Sequence, residues 1–273
     1  MTNLFVYGDS YASSENDGCP AWADLLANRL RVTLYNRAIS GSSTEHAIKC
    51  FIKDHNDNLI NDNDIVAFVT STPGRLHFQF QGSRPETASQ YWHHVDVKDP
   101  KHAWYKENRQ YLEWYLLNFD CRINAISHEG YLHILKNYAE SNPNRKIIVL
   151  ANSDHNFLDN VTMPIGNIPN NFLRPNIFLN TISRQEIVGH EDYNAWVKHT
   201  GWDPRVNHLS NPNLHILTNA IMEALETNSV SHFTYDKFES NILEHISTKS
   251  QYISYINQKM LYQINGILDN LPA

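Results

Sequence analysis

Short apolar runs recur along this chain, and stretches with helical spacing lie between them. Leu4-Phe5-Val6, Val32-Thr33-Leu34-Tyr35, Ile65-Val66-Ala67-Phe68-Val69 and Lys146-Ile147-Ile148-Val149-Leu150 each have the length of one strand and little polar interruption. Strands buried on both faces read this way, and they belong to parallel sheets covered by helices. Behind Pro20, the apolar positions Trp22, Leu25, Leu26 and Leu30 follow helical spacing, and residues 43–53 and 124–141 are also read as helices. Asn176-Ile177-Phe178-Leu179 is expected to form a fifth strand. Asn211 and Pro212 are read as the cap and first turn of a last core helix, with Leu214, Leu217, Ile221 and Leu225 as its apolar stripe to about Glu226. Strands alternating with helices imply an α/β fold whose mainly parallel sheet carries helices on both faces.

The chain has 273 residues, 41% of them hydrophobic and 11% aromatic, enough for one sizeable core. Its main domain is expected to span 1–228. Residues 229–273 form a helical extension in which Phe238, Ile242, Ile246, Ile253, Ile256, Met260, Ile264 and Ile267 recur at three- and four-residue spacings. That extension packs on the core or on a second copy of the chain. The formal net charge is −7 and the Lys and Arg residues are scattered, which argues against nucleic acid or an anionic membrane as a partner. Cys19, Cys50 and Cys121 are odd in number and widely spaced, so neither a disulfide framework nor a structural zinc site is expected. No cofactor is expected. Met1-Thr2-Asn3 runs directly into the first apolar stretch, with no leader and no membrane span in view, so a cytoplasmic protein is expected.

Chemistry concentrates at Tyr7-Gly8-Asp9-Ser10, immediately behind the first apolar run. In open α/β sheets ligands gather beyond the carboxyl ends of the strands, which places Ser10 where a nucleophile would be used. A histidine, His208, stands in the loop Gly201-Trp202-Asp203-Pro204-Arg205-Val206-Asn207-His208 that leads into the last core helix. A serine and a histidine are the nucleophile and base of acyl transfer, and the imidazole then needs an acceptor to fix its tautomer. Asp203 or a backbone carbonyl fills that role. His93-His94-Val95-Asp96 is read as a chance cluster rather than a metal site, because adjacent histidines point in different directions. Asp154-His155, behind the fourth strand, is read as a polar loop start.

With the serine after the first strand and the histidine late in the chain, residues 3–226 resemble the SGNH, or GDSL-type, hydrolases. The resemblance implies a three-layer α/β/α, flavodoxin-like sandwich with a five-stranded sheet, and a serine esterase without a cofactor. Gly8-Asp9-Ser10 matches the family's first block, making Ser10 the implied nucleophile and its N–H an implied oxyanion donor. Asn36-Arg37-Ala38-Ile39-Ser40-Gly41 matches the second, making Gly41 the implied second donor. Glycine suits that position because a backbone N–H must approach the substrate closely. The third block departs from the pattern: Thr70-Ser71-Thr72-Pro73-Gly74-Arg75 lacks the asparagine that supplies a side-chain donor, leaving Ser71 or Thr72 for that task. Where the family has aspartate three residues before the histidine, this chain has Arg205, and Asp203 lies five before.

Asp9, Arg75 and Trp92 are expected to contact the substrate. Trp92 belongs to an aromatic-rich insertion at about 75–120, which follows the third strand and either covers the site or packs as an ordinary helix face. The expected substrate is a short-acyl or acetylated-carbohydrate ester. The altered third and last blocks motivate an alternative from another class, a non-catalytic binding or structural module on the same scaffold. The third block is also similar to that of bacteriophage members, for which a virion-associated role is the expectation. A nucleotide-binding protein is disfavoured because the first loop has no glycine-rich phosphate cradle.

Overall fold

The computed structural model describes residues 2–13, 21–39, 42–71, 77–78, 86–87, 121–152, 168–186 and 209–240. Five parallel strands form the central sheet: β1 (Asn3–Tyr7), β2 (Thr33–Asn36), β3 (Ile65–Thr70), β6 (Lys146–Ala151) and β7 (Phe172–Leu173). Their spatial order is β2-β1-β3-β6-β7, the flavodoxin-like arrangement in which the direction of winding reverses between β1 and β3. A separate antiparallel pair, β4 (His77–Phe78) and β5 (Glu86–Thr87), lies within the predicted insertion.

The central strands β1, β3 and β6 are largely apolar because successive side chains enter different cores, while the edge strand β2 is partly exposed. Leu4 and Val6 of β1, Ile65, Ala67 and Val69 of β3, and Ile148 and Leu150 of β6 face one side of the sheet. There they meet Trp22 and Leu26 of α1 (Trp22–Leu30) and Leu214, Leu217 and Ile221 of a long late helix, Asn211–Thr227. Phe5, Tyr7, Val66, Phe68, Ile147 and Val149 face the other side, against Ala47, Ile48 and Phe51 of α2 (Thr44–Asn56) and Leu132, Leu135 and Tyr138 of α3 (Cys121–Glu140). Two cores on opposite faces of one sheet make the architecture three-layered, as expected. In-register pairing, Leu4 with Ile65 and Ile65 with Lys146, keeps each core continuous across the sheet.

The fifth strand differs from its expected position. Phe172 and Leu173 pair with Ile147 and Ile148, whereas Phe178 makes a single bridge to Ala151 and Leu179 already opens α4 (Leu179–Gln185). Pro175 lies between the two contacts and has no N–H to give, so the ladder stops ahead of it and is not resumed as a strand. The helix Asn211–Thr227, α5, is capped by Ser210 rather than Asn211, with Pro212 in its first turn, and ends on Asn228 in the left-handed conformation. Beyond it, Phe233 and Phe238 are buried in the α1–α5 core. Phe238, at the head of the stretch expected to be helical, follows a 3-10 turn at Tyr235–Lys237 and is extended. Residues 241–273, and with them the helical pattern expected there, lie outside the described residues. No helix among the described residues is long and apolar enough to cross a membrane.

Candidate active site

Gly8 follows β1 with φ of +153°, and there is no room at it for a side chain. A Cβ there would stand 2.8 Å from the Cβ of Val69 and 2.9 Å from its carbonyl oxygen. The chain then turns sharply. The carbonyl of Asp9 accepts the N–H groups of Ala12 and Ser13, each at 3.0 Å, and the Asp9 carboxylate accepts the N–H of Tyr11 at 3.0 Å through Oδ1. Ser10 sits inside this turn, mostly buried at 7% exposure, at the carboxyl end of β1 and at the reversal of strand order. That reversal is where open α/β sheets place their ligands.

The turn is braced from several sides. The Trp22 indole N–H, fully buried at the start of α1, donates to the Tyr11 carbonyl at 2.8 Å. Asn36, at the end of β2, donates through Nδ2 to the Ala12 carbonyl at 2.8 Å and accepts the Ala38 N–H at 2.9 Å. The Gly8 carbonyl accepts the Ile39 N–H at 3.1 Å and the Ser42 hydroxyl at 2.7 Å. The described residues of the loop behind β2 are thereby attached to the Ser10 turn.

Asp9 and Ser71 have other uses than those expected of them. Asp9 is wholly buried, and its Oδ2 accepts the Asn152 side-chain amide at 2.6 Å and the Ser71 hydroxyl at 3.0 Å, so the carboxylate shapes the turn. The Ser71 hydroxyl is also buried and also lies 2.7 Å from the Ser42 carbonyl. Its single hydrogen has two buried acceptors within reach and is held by one or the other of them. The Ser71 N–H is engaged as well, by Thr44 Oγ1 at 2.9 Å. Gly41, Thr72, Arg75, Trp92, Asp203 and His208 lie outside the described residues, as do His93, His94, Asp96, Asp154 and His155.

Two buried polar residues are absent from the sequence reading, one of them at the Ser10 turn. Asn152 directly follows β6, and the rule that singled out Ser10, a polar group at the carboxyl end of a core strand, would have found it. Glu186 follows α4, is fully buried, and receives the Ser210 N–H at 2.8 and 3.0 Å and the Asn213 side-chain amide at 2.6 Å. It holds the amino end of α5, two residues after His208. Nothing in the local sequence pattern marks it as buried.

No protein-family model matches the chain, and no curated protein matches it in sequence. Among solved structures, it is similar to a protein of Parabacteroides merdae ATCC 43184 described as a GDSL-like lipase, at 15% identity over 82% of this chain and 95% of that one, with a TM-score of 0.36. It is also similar to an alpha/beta hydrolase enzyme from the metagenome of Lake Arreo, Spain, at 13% identity over 96% and 94% of the two chains, with a TM-score of 0.31. At this level of superposition, neither neighbour's activity transfers to this chain.

Proposed function

We propose that this chain is a serine hydrolase of the SGNH type, cleaving a carboxylic ester through an acyl-enzyme. The observation that carries the reading is the position of Ser10: a braced turn at the carboxyl end of β1, where the strand order reverses. Braced turns of this kind hold a nucleophile at fixed geometry, and fixed geometry is a large part of what catalysis requires.

In the proposed reaction His208 takes the Ser10 hydroxyl proton as Oγ attacks the ester carbonyl, and it returns that proton to the leaving alcohol. Asp203 or a backbone carbonyl orients the imidazole. The N–H groups of Ser10 and Gly41 receive the oxyanion, and Thr72 is preferred as a third donor since the Ser71 hydrogen is engaged elsewhere. His208 then takes a proton from water as the water oxygen attacks the acyl carbon, and gives it to Ser10 Oγ as the acyl–Oγ bond breaks and the acid leaves. The substrate class is a short-acyl or acetylated-carbohydrate ester.

Hydrolysis of p-nitrophenyl esters from acetate to octanoate tests the reading, with Ser10→Ala and His208→Ala alongside. Turnover by the wild type and background rates in both folded variants support it. Three equally inactive proteins, together with failure of a fluorophosphonate to label Ser10, leave the scaffold as a binding module.

A further inference from the structure

Three strands of the sheet converge on one carboxylate. Asp9 follows β1, Ser71 follows β3 and Asn152 follows β6, and their side chains meet at Asp9 Oδ2 with exposures of 0, 0 and 3%. The contributions are unequal. A hydroxyl carries one hydrogen, so Ser71 serves Asp9 only when it leaves the Ser42 carbonyl. The Asn152 amide, at 2.6 Å, is the tie that does not depend on that choice. Asn152 is itself fixed by its backbone, its N–H donating to the Thr70 carbonyl at 2.9 Å and its carbonyl accepting the Asn180 N–H at 2.6 Å.

We infer that Asn152 is a positioning residue for Ser10, acting through Asp9; the inference rests on the reading of Ser10 as nucleophile. Asp9 precedes Ser10 directly, and its other carboxylate oxygen holds the N–H of Tyr11 on the far side. The dihedral angles that aim the Ser10 hydroxyl therefore lie between two atoms that Asp9 controls. Releasing Asp9 Oδ2 frees the carboxylate to rotate and to let go of Tyr11. A displacement of about 1 Å at a reacting atom costs about 100-fold in rate, so an indirect contact of this kind is visible in kinetics.

A role confined to the sheet predicts something different, and inverting the pair separates the two. Asn152→Asp sets two carboxylates against each other, and Asp9→Asn leaves an amide donor facing either Asn152 or the Tyr11 N–H. In the double variant, the new amide at position 9 donates one hydrogen to the new carboxylate at position 152 and the other to Ser71 Oγ. Ser71 then gives its hydrogen to Ser42, and the new amide's oxygen still accepts from Tyr11. The three contacts of the residue 9 side chain with Tyr11, Ser71 and residue 152 are then all remade, with the direction of the bond between 9 and 152 reversed.

The experiment measures kcat and KM for a p-nitrophenyl ester and the rate of fluorophosphonate labelling for the wild type, Asn152→Ala, both single inversions and the double. Each protein is assayed well below its own unfolding temperature. Asn152→Ala is expected to lower kcat and labelling about 10- to 100-fold with KM within about twofold, and the double variant to recover to within about tenfold of wild type. Losses that simply multiply in the double variant, or an Asn152→Ala effect below about threefold, overturn the inference while leaving the hydrolase reading intact. A wild type that neither turns over ester nor labels at Ser10 overturns both.

Discussion

Gly8 rests on Val69: the shared contact is tight enough that a methyl group on residue 8 would lie 2.8 Å from the Val69 side chain and 2.9 Å from its carbonyl. The backbone at Gly8 is also in a region that residues with a Cβ rarely adopt. Strain and collision act together in Gly8→Ala, and the expected loss is about 2–4 kcal/mol. Urea unfolding checks the stability term. Because the displaced atoms belong to the strand end that carries Ser10, ester turnover should fall further than unfolding alone accounts for, and a variant with wild-type stability would show that β1 and β3 can part at no cost.

A pH dependence follows from Tyr7. Its hydroxyl is buried and donates to Asp54 Oδ2 at 3.0 Å, while Arg37 Nε reaches the same carboxylate oxygen at 3.0 Å. Burial first, and then the Asp54 charge, push the phenol far above its ordinary value of 10.0. The folded chain thus keeps this proton after the unfolded chain has released it. With fewer protons on the unfolded side, stability is complete below about pH 10 and falls above it, by at most about 1.4 kcal/mol per pH unit from this group. Tyr7→Phe should cost about 1–2 kcal/mol near neutrality, where Asp54 loses a donor, and the deficit should shrink between pH 9 and 11. Parallel urea-midpoint curves for the two proteins across that range would contradict this. Burial also raises the Cys50 thiol, with Asp54 adding to it, so the comparison is best repeated with Cys50→Ala as background.

Much of the fold is legible because local and global preferences agree. β1, β3 and β6 read as near-continuous apolar runs because both of their faces are covered, and every residue of Ile65–Thr70 is buried, whereas the edge strand β2 is only partly buried. The fifth is misplaced because two short apolar stretches, Phe172-Leu173 and Ile177-Phe178, compete, and only tertiary pairing decides between them. Ser10 is legible from its place behind a strand. Its bracing is not, since Asp9 and Asn152 are 143 positions apart and a hydrogen bond leaves no periodic trace. The resemblance leaves Ser71 or Thr72 as the side-chain donor, but side-chain direction cannot be read from position, and the Ser71 hydroxyl lies against Asp9 and the Ser42 carbonyl.

Asn36 offers a separate test of the proposed role of the Ser10 turn. It donates to the Ala12 carbonyl and accepts from the Ala38 N–H, one side chain serving both the Ser10 turn and the segment leading toward Gly41. Asn36→Ala leaves both backbone groups without this partner. The expected cost is about 1–3 kcal/mol, and fluorophosphonate labelling should slow even in the folded protein. Asn36→Asp, which keeps the acceptor but not the donor, should lie between, and an equal rate in all three would detach this asparagine from the site.

Ser210 occupies the N-cap position of α5, but it is not expected to behave as an ordinary cap. A serine in that position usually accepts an N–H through its hydroxyl, and its loss costs about 0.5–2 kcal/mol. Here the Ser210 side chain makes no capping bond, and its hydroxyl is buried without a partner among the described residues. The amino end of α5 is held instead by Glu186, whose carboxylate accepts the Ser210 N–H and the Asn213 amide. An anion at that end is favoured by the helix dipole, and hydrogen bonds to charge are the stronger ones. Ser210→Ala should therefore change stability by less than about 0.5 kcal/mol, or raise it slightly, because it removes a desolvated hydroxyl that gains nothing. Glu186→Ala should cost about 2–4 kcal/mol by leaving two buried donors unpaired, and Glu186→Gln, which retains one carbonyl acceptor, should cost less. His208 lies two residues before Ser210, so the same ordering should appear in ester turnover: little change for Ser210→Ala, a loss for Glu186→Gln and a larger one for Glu186→Ala. Urea unfolding and kcat measured together decide it, and a Ser210→Ala variant destabilised by 1 kcal/mol or more would return the capping role to the serine.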